Sequence, residues 1–420
     1  MNITIIPHPL KGEVAIVPSK SVSHRNIIAA SLAIGTSTVR GVLDSDDITA
    51  TKEALSALGV RFDGNNIIAN GLDVRREWID CRESGSTLRF MIPVAMLTGK
   101  RIVFEGRNRL VKRPLDVFEE MFKTSDVTFE RLSDDWLPVS VKGPLKAGEY
   151  VMRGDVSSQF ASGMLFALPL LQGDSRIRLS SALESAGYVD LTIQAMSRFG
   201  VFVTKMDDGW FVKGSQRYIP SDVRTEGDFS QAAFCMVAGT IGERLTLTNL
   251  DPDSIQGDKE IVDIINSMGG HIVFDRGLDA YVATPGQTRA ATIDLSDIPD
   301  LGPVLMVLAG LSEGTTRFMN VGRLRLKESD RVMAMKDMLE TFGATVEEDQ
   351  DDVRVTGLRR FKGDVTINGY NDHRIVMAAA VAAIRADGPV TITDAQAVNK
   401  SWPSFFETYA SLGGECDERD

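Results

Sequence analysis

Three cysteines and four histidines in 420 residues leave little from which to build a metal centre or a disulfide framework. Cys81, Cys235 and Cys416 are odd in number, widely spaced and free of any CxxC pair, which argues against structural zinc and for a reducing compartment. No apolar run reaches the length of a membrane span. The N-terminal "MNITIIPHPL" lacks the basic start and long apolar core of a secretion signal. A surplus of positive charge is missing too. The formal net charge is −12, which disfavours a nucleic-acid track or an anionic membrane as partner. The expectation is a soluble cytoplasmic protein, with basic clusters serving small anions.

What the chain does have is bulk and rhythm. With 43% hydrophobic residues it can fill a large core, and its length suits two or three domains. A unit recurs every 60–75 residues or so: a polar loop, a helix of small and apolar residues, a β-rich strand, and a second amphipathic helix. The first helices open at "PSKSVSHRNIIAASLA" (18–33), "ESGSTLRFMIPVAMLTG" (83–99) and "DVSSQFASGMLFALPLLQG" (155–173). Three more open at "EGDFSQAAFCMVAGTIG" (226–242), "DIPDLGPVLMVLAGLSEG" (297–314) and "YNDHRIVMAAAVAAI" (370–384). Strands with β-branched alternation follow at 37–42, 100–106, 175–180, 244–249, 315–320 and 389–394. The second helices end on Gly59, Gly200, Gly269, Gly343 and Gly413, as a left-handed terminal residue prefers; the second unit, "EEMFKTSDV" (119–127), lacks this mark. Six units of one α/β design suggest duplication into two domains of three, dividing near "RTEGDFS" (224–230). An ordinary α/β chain with regular-looking elements is the alternative.

Cations gather at several of these helix starts: Lys20 and Arg25, Arg89, and Arg374, with Ser84, Gly85, Ser86, Ser157, Ser158 and Gln159 in equivalent places. Ser21, Ser157 and Asp372 read as N-caps by residue type. Arg25 and Arg374, taken as first-turn residues, face the positive end of the helix dipole at a cost of about 0.3–1 kcal/mol each. A bound anion reverses that sign, so repetition of the pattern points to phosphate or carboxylate binding. In "GRLRLKESDR" (322–331), Arg323, Arg325 and Lys327 alternate with leucines and would share one face of a strand. Ser329 would then cap the next helix, with Arg331 in its first turn. A solvated salt-bridge patch fits the same residues equally well. Pro114 in "GRNRLVKRPLD" is placed to begin a helix, Asp300 in "IPDLGP" reads as an N-cap, and Lys400 alone reads as surface.

Taken together and in order, "PSKSVSHR", "ESGSTLR", "RLVKRP", "VSSQ", "IPD", "LKESDR", "NDHR" and "NKSWP" closely resemble the enolpyruvyl transferase family, over about Lys11 to Phe406. The resemblance implies an α/β fold of two similar domains, each of three βαβαββ repeats (an inside-out α/β barrel), with the active site in the cleft between them. It places residues 19–226 in one domain and 1–18 with 227–420 in the other. It implies transfer of the enolpyruvyl group of phosphoenolpyruvate to the 5-hydroxyl of shikimate 3-phosphate, releasing phosphate through a tetrahedral intermediate, without metal or cofactor. The protein would act as a monomer on these small anions.

By the same resemblance Lys20, Ser21, Arg25, Ser157, Ser158, Gln159, Ser185, Asp300, Arg323 and Lys327 bind shikimate 3-phosphate, with Tyr188 beside them. Lys20, Gly85, Arg113, Gln159, Arg331, Arg374 and Lys400 bind phosphoenolpyruvate. Asp300 takes the hydroxyl proton, Glu328 serves the methyl carbon, and Lys20 and Lys400 assist; Asp330 is a structural partner for a nearby arginine. The chain departs from the family pattern at Glu83–Ser86, where Asn-Ala-Gly-Thr is common, at Arg323 in place of Asn, and at Ala186-Gly187 in place of Lys-Pro. The alternatives are transfer to UDP-N-acetylglucosamine, a non-catalytic anion-binding protein on the same fold, and an RNA-processing relative. The loop "RNRLVKRPLD" lacks the cysteine common in the UDP-sugar enzymes.

Overall fold

The computed structural model describes residues 1–123 and 125–419. The chain divides into two compact units, Pro18–Thr225 and Met1–Val17 with Glu226–Asp420. Each unit holds three four-stranded sheets of one design, in which a parallel pair is extended by two antiparallel strands. A parallel pair needs a crossover, and a buried helix supplies it. Trp78–Asp80 leads through the helix Gly85–Met96 to Arg101–Glu105, and Glu149–Met152 leads through Ser158–Ala167 to Ser175–Leu179.

Two of the six crossovers exchange strands. Gly12–Ala15 stands before the helix Lys20–Leu32 in sequence, yet it pairs with Leu245–Thr248. Asp222–Arg224 stands before the helix Phe229–Ile241, yet it pairs with Gly35–Arg40. Each strand fills the place the other vacates, and this is how the first residues come to lie in the unit formed mainly by the C-terminal half. Asn2–Ile6 completes the last sheet, between Val390–Ile392 and Glu415–Arg419.

The three crossover helices of each unit form its core. Gly302–Ala309 is apolar all round, as suits a helix with no solvent face, whereas Lys20–Leu32 buries Ser23, His24, Arg25 and Asn26 and has to pair them. His373–Ala383 is buried along its whole length, and Gly302–Ala309 likewise. Small residues let these helices approach closely: a Cβ at Gly163 would stand 2.2 Å from the Arg89 carbonyl oxygen.

The six strands following the first helices, Gly35–Arg40, Arg101–Glu105, Ser175–Leu179, Leu245–Thr248, Thr315–Met319 and Val390–Ile392, lie within two residues of the expected spans. The second helices end on the five expected glycines, Gly59 with φ +93° and Gly343 with φ +92° among them. In the second unit the helix is Asp116–Phe122, starting two residues after Pro114; Thr124 of that stretch lies outside the described residues. Among the described residues no helix is long and apolar enough to cross a membrane.

Candidate active site

In the unit Pro18–Thr225 the helix starts carry the predicted anion ligands. Ser19 caps the helix Lys20–Leu32, accepting from the Val22 N–H, so Lys20 is its first residue and Ser21 is not the cap. Lys20 Nζ pairs with Asp47 at 3.1 Å. Arg25 therefore sits in the second turn, where the dipole matters little. It is buried and held on three sides: Nε donates to Thr192 Oγ1, Nη1 to the Ser21 carbonyl and Nη2 to the Tyr188 carbonyl, all at 2.8 Å. Its guanidinium lies 5.1 Å from the centre of the Phe90 ring and 5.9 Å from that of Tyr188. Burial lowers its pKa to about 10, with Tyr188 opposing, so it remains a cation at neutral pH.

Ser84 caps the helix Gly85–Met96. A Cβ on Gly85 would lie 2.6 Å from Arg113 Nη1 and 2.9 Å from Arg89 Nη1, so only glycine lets both guanidinium groups close over this helix start. Arg89 Nη1 donates to Gln159 Oε1 at 3.0 Å, and Gln159 Nε2 donates to Ser86 Oγ at 2.9 Å. Ser157 caps the next helix, Ser158–Ala167, as expected. Ser185 is buried at the start of Ala186–Arg198 with φ +55°, a conformation that is costly for serine and that clusters at binding sites. Free helix N–H groups and converging cations make this end of the unit suited to phosphate and carboxylate.

In the other unit a buried arginine organises three carboxylates. Arg331 is 1% exposed. Its Nε donates to Asp372 Oδ2 at 2.8 Å, Nη1 to Asp300 Oδ1 at 2.9 Å and Nη2 to Glu328 Oε2 at 2.7 Å. Asp300 also pairs with Lys327 at 3.3 Å and with Arg374 Nη2 at 3.1 Å. Asp372 caps the helix His373–Ala383, accepting from the Arg374 N–H, and takes a bond from Ser329 Oγ. Lys400, 7% exposed, donates to the Asn371 carbonyl at 2.5 Å, next to that cap.

Electrostatics follow from this crowding. Burial works against the Arg331 charge, but Asp372, Glu328 and Asp300 raise its pKa above the usual value. Burial lowers the Lys327 ammonium to about 8, opposed by Asp300 and helped by Arg323 and Arg331. Asp372 is kept below the ordinary carboxylate range: burial raises it, and Arg331 overcomes that. Behind Asp300 a further buried carboxyl, Asp258, bonds to Ser230 and is pushed up to about 7 by burial and by the Asp300 charge.

Several sequence expectations change. Gly322–Leu326 is a 3-10 helix, not a strand, so Arg323, Arg325 and Lys327 do not share one face. Lys327 turns to Asp300, whereas Arg325 turns to Glu348 at 2.9 Å and Asp330 at 3.5 Å. Leu324 is buried and Leu326 is exposed, so the alternation that suggested a strand marks no buried face. Asp330, not Ser329, caps Arg331–Thr341, because Ser329 is drawn to Asp372. Asp300 is not the N-cap of the helix; it lies in the 3-10 turn Pro299–Leu301 and faces cations. The patch is thus split: Arg331 is buried among Asp372, Asp300 and Glu328, while Arg325 keeps half-exposed pairs with Glu348 and Asp330; Lys400 is no surface residue.

Sequence reasoning left three participants unassigned. Arg89 is one turn beyond Gly85 in "GSTLR", a spacing that puts both on one helix face. Asp47, the partner of Lys20, follows the cap Ser45. Asp372 was legible only as a cap, since nothing local announces its bond to Arg331, 41 positions away.

A family model described as EPSP synthase (3-phosphoshikimate 1-carboxyvinyltransferase) matches residues 5–409. A 3-phosphoshikimate 1-carboxyvinyltransferase of Clostridium novyi is 43% identical across 99% of this chain and 98% of its own length. One of Clostridium kluyveri is 45% identical with the same coverage of both chains. The solved structure of an EPSP synthase from Acinetobacter baumannii shares the fold, with a TM-score of 0.83 at 24% identity over 99% of this chain and 100% of that one. The protein belongs to the EPSP synthase family.

Proposed function

We propose that the chain transfers the enolpyruvyl group of phosphoenolpyruvate to the 5-hydroxyl of shikimate 3-phosphate. The hydroxyl oxygen attacks C2 of phosphoenolpyruvate as its proton passes to Asp300, and C3 takes a proton to become a methyl. In the tetrahedral adduct the C2–O bond to phosphate then breaks, a methyl proton leaves, and the enol ether and inorganic phosphate are released. Glu328 serves the carbon, with Lys400 and Lys20 assisting. Positioned acid–base groups among preorganised cations are what this sequence of proton movements needs.

The observation that carries the proposal is the sharing of Asp300 among Arg331, Lys327 and Arg374. Three cations blunt a carboxylate as a base. Anionic substrates compete for those cations: phosphoenolpyruvate for Arg331 and Arg374, shikimate 3-phosphate for Lys327. Substrate binding thereby loosens the hold on Asp300 and readies it to accept the proton. In the other unit, Gly85 under Arg113 and Arg89 offers a second anion seat for phosphoenolpyruvate. Ser157, Ser158, Gln159, Ser185, Lys20, Ser21 and Arg25 serve shikimate 3-phosphate, and Arg323 adds charge beside Lys327.

Phosphate release with both substrates tests the activity, and Asp300→Asn tests the base. Turnover with UDP-N-acetylglucosamine alone would move the chain to the other branch of the enolpyruvyl transferases. The enzyme so read works as a cytoplasmic monomer; active protein sedimenting as a dimer would correct that part.

A further inference from the structure

We infer that His24, Thr51, Thr87 and Ser84 form a buried positioning chain that sets the Gly85 helix start for phosphoenolpyruvate, an inference that rests on the function proposed above. His24 Nδ1 lies 2.8 Å from Thr51 Oγ1, Thr51 Oγ1 lies 2.7 Å from Thr87 Oγ1, and Thr87 Oγ1 donates to Ser84 Oγ at 2.8 Å. All four side chains are sealed from solvent. They come from three different helices, Lys20–Leu32, Asp46–Ala57 and Gly85–Met96, the last through its cap.

One set of directions satisfies the whole chain when the Thr87 proton goes to Ser84, the nearer of its two acceptors, and not to the Asp47 carbonyl. Each hydroxyl has one proton to give. Thr87 gives its proton to Ser84, so Thr51 gives its own to Thr87. The Thr51 oxygen is then left to accept from His24 Nδ1–H. That puts a proton on Nδ1, and in the neutral ring Nε2 is then unprotonated. His24 Nε2 has no hydrogen-bond partner among the described residues, and the ring stands edge-on to Phe90, centres 6.3 Å apart at 84°. Burial, reinforced by Lys20 and Arg25, holds the imidazole well below its usual pKa, which keeps it neutral.

The chain lies one turn inside each helix start. Lys20 precedes His24 by four residues, Asp47 precedes Thr51 by four, and Gly85 sits between Ser84 and Thr87. Residues four apart stack on one helix face. Thr87 Oγ1 also reaches the Asp47 carbonyl at 3.3 Å, and Asp47 holds Lys20. The hydrogen bonds thus run directly beneath Lys20, Asp47 and Gly85 and fix them relative to one another. Buried polar groups joined in this way specify one arrangement of the elements they link. These four are positioning residues; none is assigned a contact with substrate.

Thr51→Val keeps the shape and removes the hydroxyl, and Thr51→Ser restores it. In steady-state phosphate release the KM for phosphoenolpyruvate is expected to rise roughly fivefold in Thr51→Val. Because Lys20 also serves shikimate 3-phosphate, the KM for that substrate should rise too, but by less than that for phosphoenolpyruvate, and Thr51→Ser should recover the wild-type values. Thr87→Val should behave alike, and the double variant should lose no more than the larger single loss, because both cut one chain. A lowered Tm with both KM values unchanged, or no recovery by Thr51→Ser, would overturn the inference. Should Thr51→Val fail to fold, Thr87→Val carries the test, since Ser84 keeps its bond from the Thr87 N–H. If the wild type releases no phosphate from these substrates, it is the proposed function that fails. Protection of the protein by inorganic phosphate against heating then reads the chain. Protection lost in Thr51→Val and kept in Thr51→Ser supports it, and equal protection in all three contradicts it.

Discussion

Arg331 grips Asp372 with two bonds, Nε to Oδ2 at 2.8 Å and Nη2 to Oδ1 at 3.2 Å, where neither side chain reaches solvent. The pair joins the start of Arg331–Thr341 to the cap of His373–Ala383. Removing the cation leaves a buried charge without its partner, at a cost of about 3–5 kcal/mol. Arg331→Met is therefore expected to lose that much stability in denaturant unfolding. Asp372→Asn should lose less, because Asn still caps the helix and Arg331 keeps Glu328 and Asp300. The reverse ranking would contradict this account of the pair.

Asp300→Asn and Glu328→Gln keep size and hydrogen bonding but remove the proton-accepting charge. Each is expected to lower kcat by about 10²–10⁴-fold, with smaller changes in KM. Losses confined to KM would assign both residues to binding alone.

Gly85→Ala tests the space under the two arginines. The added methyl meets Arg113 Nη1 at 2.6 Å, so a guanidinium must move. Alanine favours the helix, and Gly85 does not have a positive φ, so stability should hold. The affinity for phosphoenolpyruvate should fall severalfold or more, read as KM at saturating shikimate 3-phosphate. An unchanged KM would show that Arg113 is not used at that seat.

Lys327 supplies a pH limb. With its pKa lowered to about 8 by burial, it is a cation below that pH and loses the charge as pH rises through it. The KM for shikimate 3-phosphate should be flat on the acid side and climb above about pH 8. Lys327→Arg should remove the climb, because the guanidinium stays charged. A limb that survives in Lys327→Arg belongs to another group.

Asp258 supplies a stability limb that also weakens as pH rises. A carboxyl raised from 3.8 to about 7 binds its proton more tightly in the folded state, so stability is greatest on the acid side and falls as pH rises through that window. Asp258→Asn mimics the protonated form and should raise Tm above neutral pH while changing it little below about pH 4. A lower Tm at alkaline pH would mean that the ionised carboxylate is needed.

Much of this was legible in the chain. The crossover helices and following strands announce themselves through composition, because a helix buried on most sides is rich in small and apolar residues, with the few polar ones, such as His24 and Arg25, held by partners. The five glycine stops were equally plain. What sequence could not give was the exchange of Gly12–Ala15 and Asp222–Arg224, since pairing between distant strands leaves no local mark. The ion pairs of Arg331 were hidden for the same reason. "GRLRLKESDR" misled because the alternating leucines look like one face of a strand although only Leu324 is buried, and Ser329 looked like a cap until Asp372 claimed its hydroxyl.

The most direct measurement is phosphate release by the purified chain with phosphoenolpyruvate and shikimate 3-phosphate, run beside Asp300→Asn. The account predicts release that needs both substrates together and that falls by orders of magnitude in the variant. Release with UDP-N-acetylglucosamine in place of shikimate 3-phosphate, or an Asp300→Asn protein as fast as the wild type, would contradict it.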